Sequence, residues 1–218
     1  LYGVETWRHL LPPVDPTPAP LRPLTSEGAA LTGLPPGTPI HAGPFDLAAT
    51  MLGAGVTELG DALVILGTTL GCAVLVDDSG TDGDPAGMLL CTPEPERWVR
   101  VMPAMVGTPS LEWILGITGL RREDLDAALA ETAPGAGGIV VLPFLAPAGE
   151  RAPFVDPYAR GQAMGLSLES TREDLVRAVC EGIAYAVRDC LEAAGLRPGS
   201  RVFLGGGGVR SAGWRQIL

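Results

Sequence analysis

Lysine is absent: all 15 basic residues of this 218-residue chain are arginines. A Walker-type phosphate loop sets a lysine on the β- and γ-phosphates, a protein kinase needs one on an early strand, and a Schiff-base enzyme needs the amine itself. The chain is none of these on its own. Histidine is scarce as well, with only His9 and His41, far apart in sequence, and Cys72, Cys91, Cys180 and Cys190 form no C-x-x-C pair. Neither a zinc site nor a disulfide scaffold follows from that spacing, and four buried, reduced thiols in a cytoplasmic protein are expected. A net charge of −10 leaves no basic stripe for duplex nucleic acid or an anionic membrane surface. The longest apolar run, residues 62–76, is broken by Gly67-Thr68-Thr69 and is too short to span a bilayer; no signal peptide is visible.

What is present suffices for a real core. Hydrophobic residues make up 46% of the chain, and its length suits one large domain or one and a half. Prolines 12, 13, 16, 18, 20 and 23 make residues 1–36 a surface connection with room for a short helix at 26–31. A strand at 38–42, a Gly43-Pro44-Phe45 turn and a helix at 46–52 stopped by Gly53 and Gly55 follow, with Asp46 at the helix start. Residues 62–66 and 72–76 flank Gly67-Thr68-Thr69 and read as a buried hairpin, followed by a polar loop at 77–87 and short strands at 87–92 and 98–102. Helices are expected at 110–116 and 122–131, and a strand buried on both faces at 139–145. Ser170-Thr171-Arg172-Glu173 matches a capping box opening a long helix, with Leu175, Val179, Ile183, Ala186 and Cys190 at helical spacing and Gly195 as its stop.

After that helix, a strand at 201–204 runs into Gly205, Gly206, Gly207 and Gly208 and then a helix. Glycine lets backbone N–H groups approach a ligand that a Cβ would block, and a helix start offers unpaired donors to phosphate. A structural turn is the competing reading. The chain begins at Leu1 and stops at residues 214–218, inside what reads as a helix, so it is expected to be cut at both ends.

Together these segments resemble the FGGY family of carbohydrate kinases. Five blocks in order carry the resemblance: residues 32–40 leading to Gly43, Asp46 and Gly53-Ala54-Gly55; Leu66-Gly67-Thr68-Thr69; Leu142-Pro143-Phe144-Leu145 with Gly149-Glu150-Arg151-Ala152-Pro153-Phe154, Asp156-Pro157 and Arg160-Gly161; Gly165-Leu166, Asp174-Leu175 and residues 178–182; and Gly206-Gly207-Gly208-Val209-Arg210-Ser211 with Trp214 and Gln216. The resemblance implies an α/β, actin-like (ribonuclease H-like) sugar kinase fold, incomplete here. Residues 1–59 would end a first, sugar-binding lobe, and 60–218 would form a second, ATP-binding lobe truncated at its C-terminus.

The implied reaction is ATP-dependent phosphorylation of a sugar or polyol hydroxyl, a xylulose-type ketose first, with Mg²⁺ held mostly by residues outside the chain. By the resemblance Asp46 is the catalytic base, although an Asp at a helix start also reads as an ordinary cap. Gly67, Thr68 and Thr69 match the hairpin that meets the β- and γ-phosphates, or else a tight turn; Gly206, Gly207 and Ser211 match adenosine-side contacts, and Gly107 is placed along the same cleft. Glu150 and Arg151 are expected to pair as a structural clasp, and Trp113 and Trp214 to be core or cleft-wall residues. No metal ligand is assigned in the chain. The partners are ATP and a small sugar or polyol, with no nucleic acid, no membrane and room for a homodimer. A non-catalytic nucleotide-binding or interaction fragment of the same ancestry is the alternative.

Overall fold

Alternating apolar segments around a three-residue turn dictate the centre of the molecule. The computed structural model describes residues 5–10, 21–41, 43, 45–80, 86–92 and 94–218, in two compact units, Leu1–Phe45 and Asp46–Leu218. In the first unit β1 (Arg22–Pro23) pairs antiparallel with β2 (Pro39–Ile40) around α1 (Ser26–Thr32), whose N-cap Thr25 accepts from Gly28 N. The strand expected at 38–42 is thus only two residues long. Pro39 has no N–H to give a ladder, and Ala42, Pro44 and prolines 12, 13, 16, 18 and 20 lie outside the described residues.

The second unit opens with α2 (Asp46–Ala54), which runs through Gly53 and ends where Gly55 turns left-handed at φ 93°. Next, β3 (Ala62–Leu66) and β4 (Leu70–Val76) form the expected hairpin, and β5 (Met88–Cys91) and β6 (Trp98–Ala104) extend it. α3 (Thr108–Thr118) and α4 (Leu125–Glu131) follow, then β7 (Val140–Leu142) and β8 (Gln162–Met164), α5 (Arg172–Ala193), β9 (Val202–Gly205) and α6 (Ala212–Ile217). The main sheet has the order β5-β6-β4-β3-β9, antiparallel except for the parallel β3–β9 pair.

Even-numbered residues of β3 (Ala62, Val64, Leu66) face the large core shared with α3, α5 and α6; Leu63 faces a smaller one with Met51 of α2. The strand is therefore buried on both faces, as its unbroken apolar sequence requires. Helix α5 contributes Val176, Val179, Ile183, Val187, Cys190 and Leu191 to the large core, a wide apolar stripe. Each such side chain is worth roughly 1.5–3 kcal/mol of transfer free energy.

Four expectations need correction. β7 is not buried on both faces: α5 covers Val141, with Gly182 close against its carbonyl, while Val140 and Leu142 stand exposed in a separate two-stranded sheet. The capping box is set one residue later, with Thr171 accepting from Asp174 N and Asp174 Oδ2 accepting from Thr171 N, because Thr171 rather than Ser170 takes the extended cap conformation. Cys91 is exposed, since it lies on edge strand β5; the other three thiols are buried. Trp113 is about half exposed on α3 and is not part of the core. Among the described residues no helix is long and apolar enough to cross a membrane.

Candidate active site

Strand β3 ends at Leu66, and three glycine-bearing segments converge on that residue and the turn after it. In the turn, Gly67 N donates to Thr69 O at 3.2 Å, leaving Thr68 and Thr69 exposed. Gly107, which precedes α3, is buried against the turn: a Cβ there would sit 2.6 Å from Thr68 O and 2.7 Å from Gly67 O. The next residue, Thr108, donates its N–H to Gly67 O at 2.8 Å. On the other side Gly206 takes φ 92°, and its Cβ would lie 2.5 Å from Leu66 O. Gly208 packs on the Leu66 side chain and the Trp214 ring. Gly107, Gly206 and Gly208 are thus required by packing.

Gly207 differs. Its φ of −70° suits any residue, and a Cβ there meets nothing within 4 Å. No feature of the fold calls for glycine at this exposed position. It borders a cleft of about 300 Å³ shared with Gly208, Arg210, Ser211, Asp126 and a floor of Leu111, Leu125 and Trp214. All three floor residues are buried.

Ser211 is the N-cap of α6, accepting from Trp214 N at 3.0 Å, and its hydroxyl donates to Asp126 Oδ1. Asp126 also accepts from Gly213 N at 3.0 Å and Ala212 N at 3.3 Å. The Ser211 hydroxyl foremost, with the Gly213 and Ala212 amides, holds the Asp126 carboxyl below the ordinary carboxylate range against a desolvation larger than either amide's effect. Asp126 belongs to no recognisable motif. Only its place in the second position of α4, facing the start of α6, reveals it.

A larger cavity of about 730 Å³ lies between α4, α5 and α6, lined by Leu129, Arg177, Glu181, Tyr185 and Gln216 among others. It includes no residue of the glycine loop. Of its charged members Arg177 and Glu181 are already engaged, Arg177 Nε donating to Glu181 at 2.7 Å and Nη1 to the Leu129 and Thr132 carbonyls, while Asp126 borders this cavity as well as the cleft beside Gly207.

Glu150 and Arg151 do clasp, but not through an ion pair between their side chains. Buried Glu150 Oε1 accepts from Met105 N at 2.6 Å and Arg151 N at 2.8 Å, while Arg151 Nε donates to Pro103 O. Both grip the chain where β6 ends: Met105, two residues before Gly107, lies past the last ladder pair and its N–H needs a partner, and Pro103 O is held from within the strand. Asp46 stands apart from this cluster. It is the first residue of α2, exposed, with Oδ1 accepting from Leu47 N at 2.7 Å, and none of its hydrogen bonds reaches the hairpin or the glycine loop. Among the described residues no group of three or more His, Cys, Asp or Glu side chains could hold a metal ion.

Residues 62–218 match the FGGY family of carbohydrate kinases, C-terminal domain. The chain is 33% identical to an erythritol kinase of Brucella abortus over 99% of its own length and 44% of that protein's. It is 35% identical to the xylulose kinase of Escherichia coli over 83% of its length and 37% of the relative's. The crystal structure of a xylulose kinase from Rhodospirillum rubrum superposes with a TM-score of 0.82 at 35% identity, covering 95% of this chain and 42% of that one. The chain spans less than half the length of each of these proteins.

Proposed function

The chain belongs to the FGGY family of carbohydrate kinases, and on that premise we propose that it is the ATP-binding part of an enzyme that phosphorylates a hydroxyl of a sugar or polyol. The observation that carries this reading is Gly207, a glycine that the fold does not need, at the rim of a cleft whose one other lining glycine, Gly208, is explained by packing. In this reading the triphosphate lies toward Gly67, Thr68 and Thr69, backed by Gly107, and the nucleoside enters the cleft beside Gly206 and Gly207. Residues 1–59 end the sugar-binding lobe and 60–218 form the nucleotide lobe.

Phosphoryl transfer to an alcohol needs a carboxylate that takes the hydroxyl proton as the oxygen attacks the γ-phosphorus. Asp46 has that role in the proposal: it is exposed, and its Oδ1 is oriented by the Leu47 amide. Mg²⁺ would neutralise the phosphates, with ligands supplied mainly from outside these residues. A five-carbon ketose of the xylulose type is the preferred substrate, because the quoted blocks are most similar to xylulokinase-type members; erythritol is the polyol to compare. A soluble cytoplasmic protein fits the free thiols.

The test is a polypeptide carrying both lobes, assayed for ATP turnover with xylulose and erythritol, beside the 218-residue chain alone. The two-lobed protein is expected to turn over and the chain alone to give none, since one lobe cannot position both substrates. In the two-lobed protein Asp46→Asn should lower kcat by about 10²–10⁴-fold with little change in sugar affinity. Full activity in that variant would return Asp46 to a mere helix-start residue.

A further inference from the structure

The hydroxyl that sequence resemblance points to at the nucleoside end of the cleft is already spent. Ser211 has a single O–H to donate, and it goes to Asp126 Oδ1, while a lone pair accepts from Trp214 N. Asp126 is in the opposite position. An ionised carboxylate has about four acceptor sites and no donor. Oδ1 receives Ser211 and Gly213 N, whereas Oδ2 receives only the long 3.3 Å bond from Ala212 N. Acceptor capacity is left over on an exposed residue that lines the same cleft as Gly207, above the apolar floor of Leu111, Leu125 and Trp214.

Position along the cleft decides what meets it. Gly206 and Gly208 rest on Leu66, at the base of the Gly67-Thr68-Thr69 turn, and Ser211 and Asp126 stand beyond them at the start of α6. If the phosphates lie at the turn, as the proposed function has it and as this inference requires, the nucleoside lies at Asp126. We propose that Asp126 Oδ2 accepts a hydrogen bond from an N–H or O–H donor of the nucleoside, the adenine amine or a ribose hydroxyl, and that Ser211 orients Asp126 without touching the ligand.

Asp126→Asn separates this from a structural role. The donors of Ser211 and Gly213 keep the amide oxygen at the Oδ1 position and Ser211 still caps α6, while the amine replaces Oδ2 with a donor that cannot accept, giving up the long Ala212 N bond. Calorimetric titration of the chain with ATP, 2′-deoxy-ATP, 3′-deoxy-ATP and purine riboside triphosphate gives the answer, after thermal melts confirm folding. The parent should bind one analogue, the one lacking the partner donor, roughly 10-fold more weakly than ATP. Asp126→Asn should weaken ATP by a similar factor yet leave that analogue unchanged, and its identity tells amine from ribose.

Equal weakening of ATP and all three analogues by Asp126→Asn, or no weakening at all, overturns the inference. So does a parent that binds all four alike, a result that stands even if the variant fails to fold. ATP affinity lost in Gly207→Val but kept in Asp126→Asn sinks this inference alone. ATP affinity kept in Gly207→Val sinks the nucleotide reading beneath it as well.

Discussion

The two ends of the β3–β9 pair are built from opposite materials. Where the pair begins, Asp61 is almost fully buried, and Arg201 spans it with Nε 3.0 Å from Oδ1 and Nη2 on Oδ2, while Thr57 N and Glu58 N donate at 3.2 and 3.0 Å. Where the pair ends, no charge is involved, and Leu66 is flanked by glycines whose missing side chains let backbone meet backbone. One end is fastened by a satisfied carboxylate; the other is left open on its outer side, at Thr68, Thr69 and Gly207. Stability and ligand binding are therefore separable along a single pair of strands, and substitutions at the two ends should read out differently.

The largest effect on folding is expected at the open end, at a glycine that packing requires. Gly206→Ala places a Cβ 2.5 Å from Leu66 O at a left-handed φ of 92°, so it should cost about 2–4 kcal/mol in denaturant unfolding and weaken ATP along with it. A change under about 0.5 kcal/mol would show that the loop relaxes freely and that the contact with Leu66 does not define it.

At the fastened end the loss should be somewhat smaller and confined to stability. Asp61→Ala leaves the Thr57 and Glu58 amides without their acceptor and frees Arg201, which is half exposed, so about 2–3 kcal/mol is expected with ATP affinity unaltered. Acid gives the same information without mutation. The Arg201 side chain foremost, helped by the two amides, lowers the Asp61 pKa to about 2 from an ordinary value of 3.8. The folded value is depressed, so the stabilisation is complete above the unfolded pKa and is lost as pH falls from about 4 through 2. Because Arg201 is open to solvent, about 1–2 kcal/mol is the expected size. Unfolding curves for parent and Asp61→Ala that fall in parallel across that range would contradict the assignment.

The sequence made much of this legible, and the misses have physical causes. The hairpin was readable because residues 62–66 and 72–76 are apolar without interruption and the segment between them carries glycine, although the second strand starts two residues earlier, at Leu70. The long helix was readable from its stripe, yet its cap shifted by one residue, because Thr171 and Asp174 satisfy the same pattern as Ser170 and Glu173 and only backbone conformation chooses between them. β7 misled because Val140 and Leu142 are as apolar as Val141; sequence does not say that only one face receives a helix.

At the site, residue types located the turn and the glycine loop but could not rank the glycines. Gly206, Gly207 and Gly208 look alike in sequence and differ in backbone conformation and in what their absent Cβ would touch. Asp126 was invisible for a related reason: its partners, Ser211 and Gly213, are more than eighty residues away.

Gly207 carries the central claim, and one substitution tests it. In Gly207→Val, φ is −70° and a Cβ meets open space, so the thermal melt should match the parent within the range of a neutral surface change, about 0.5 kcal/mol. ATP titrated calorimetrically into the same two samples should bind the variant more than ~10-fold less tightly, a loss of about 1.4 kcal/mol. Unchanged ATP affinity in a fully folded Gly207→Val chain would contradict the account and leave the glycine loop as a turn with the nucleotide elsewhere.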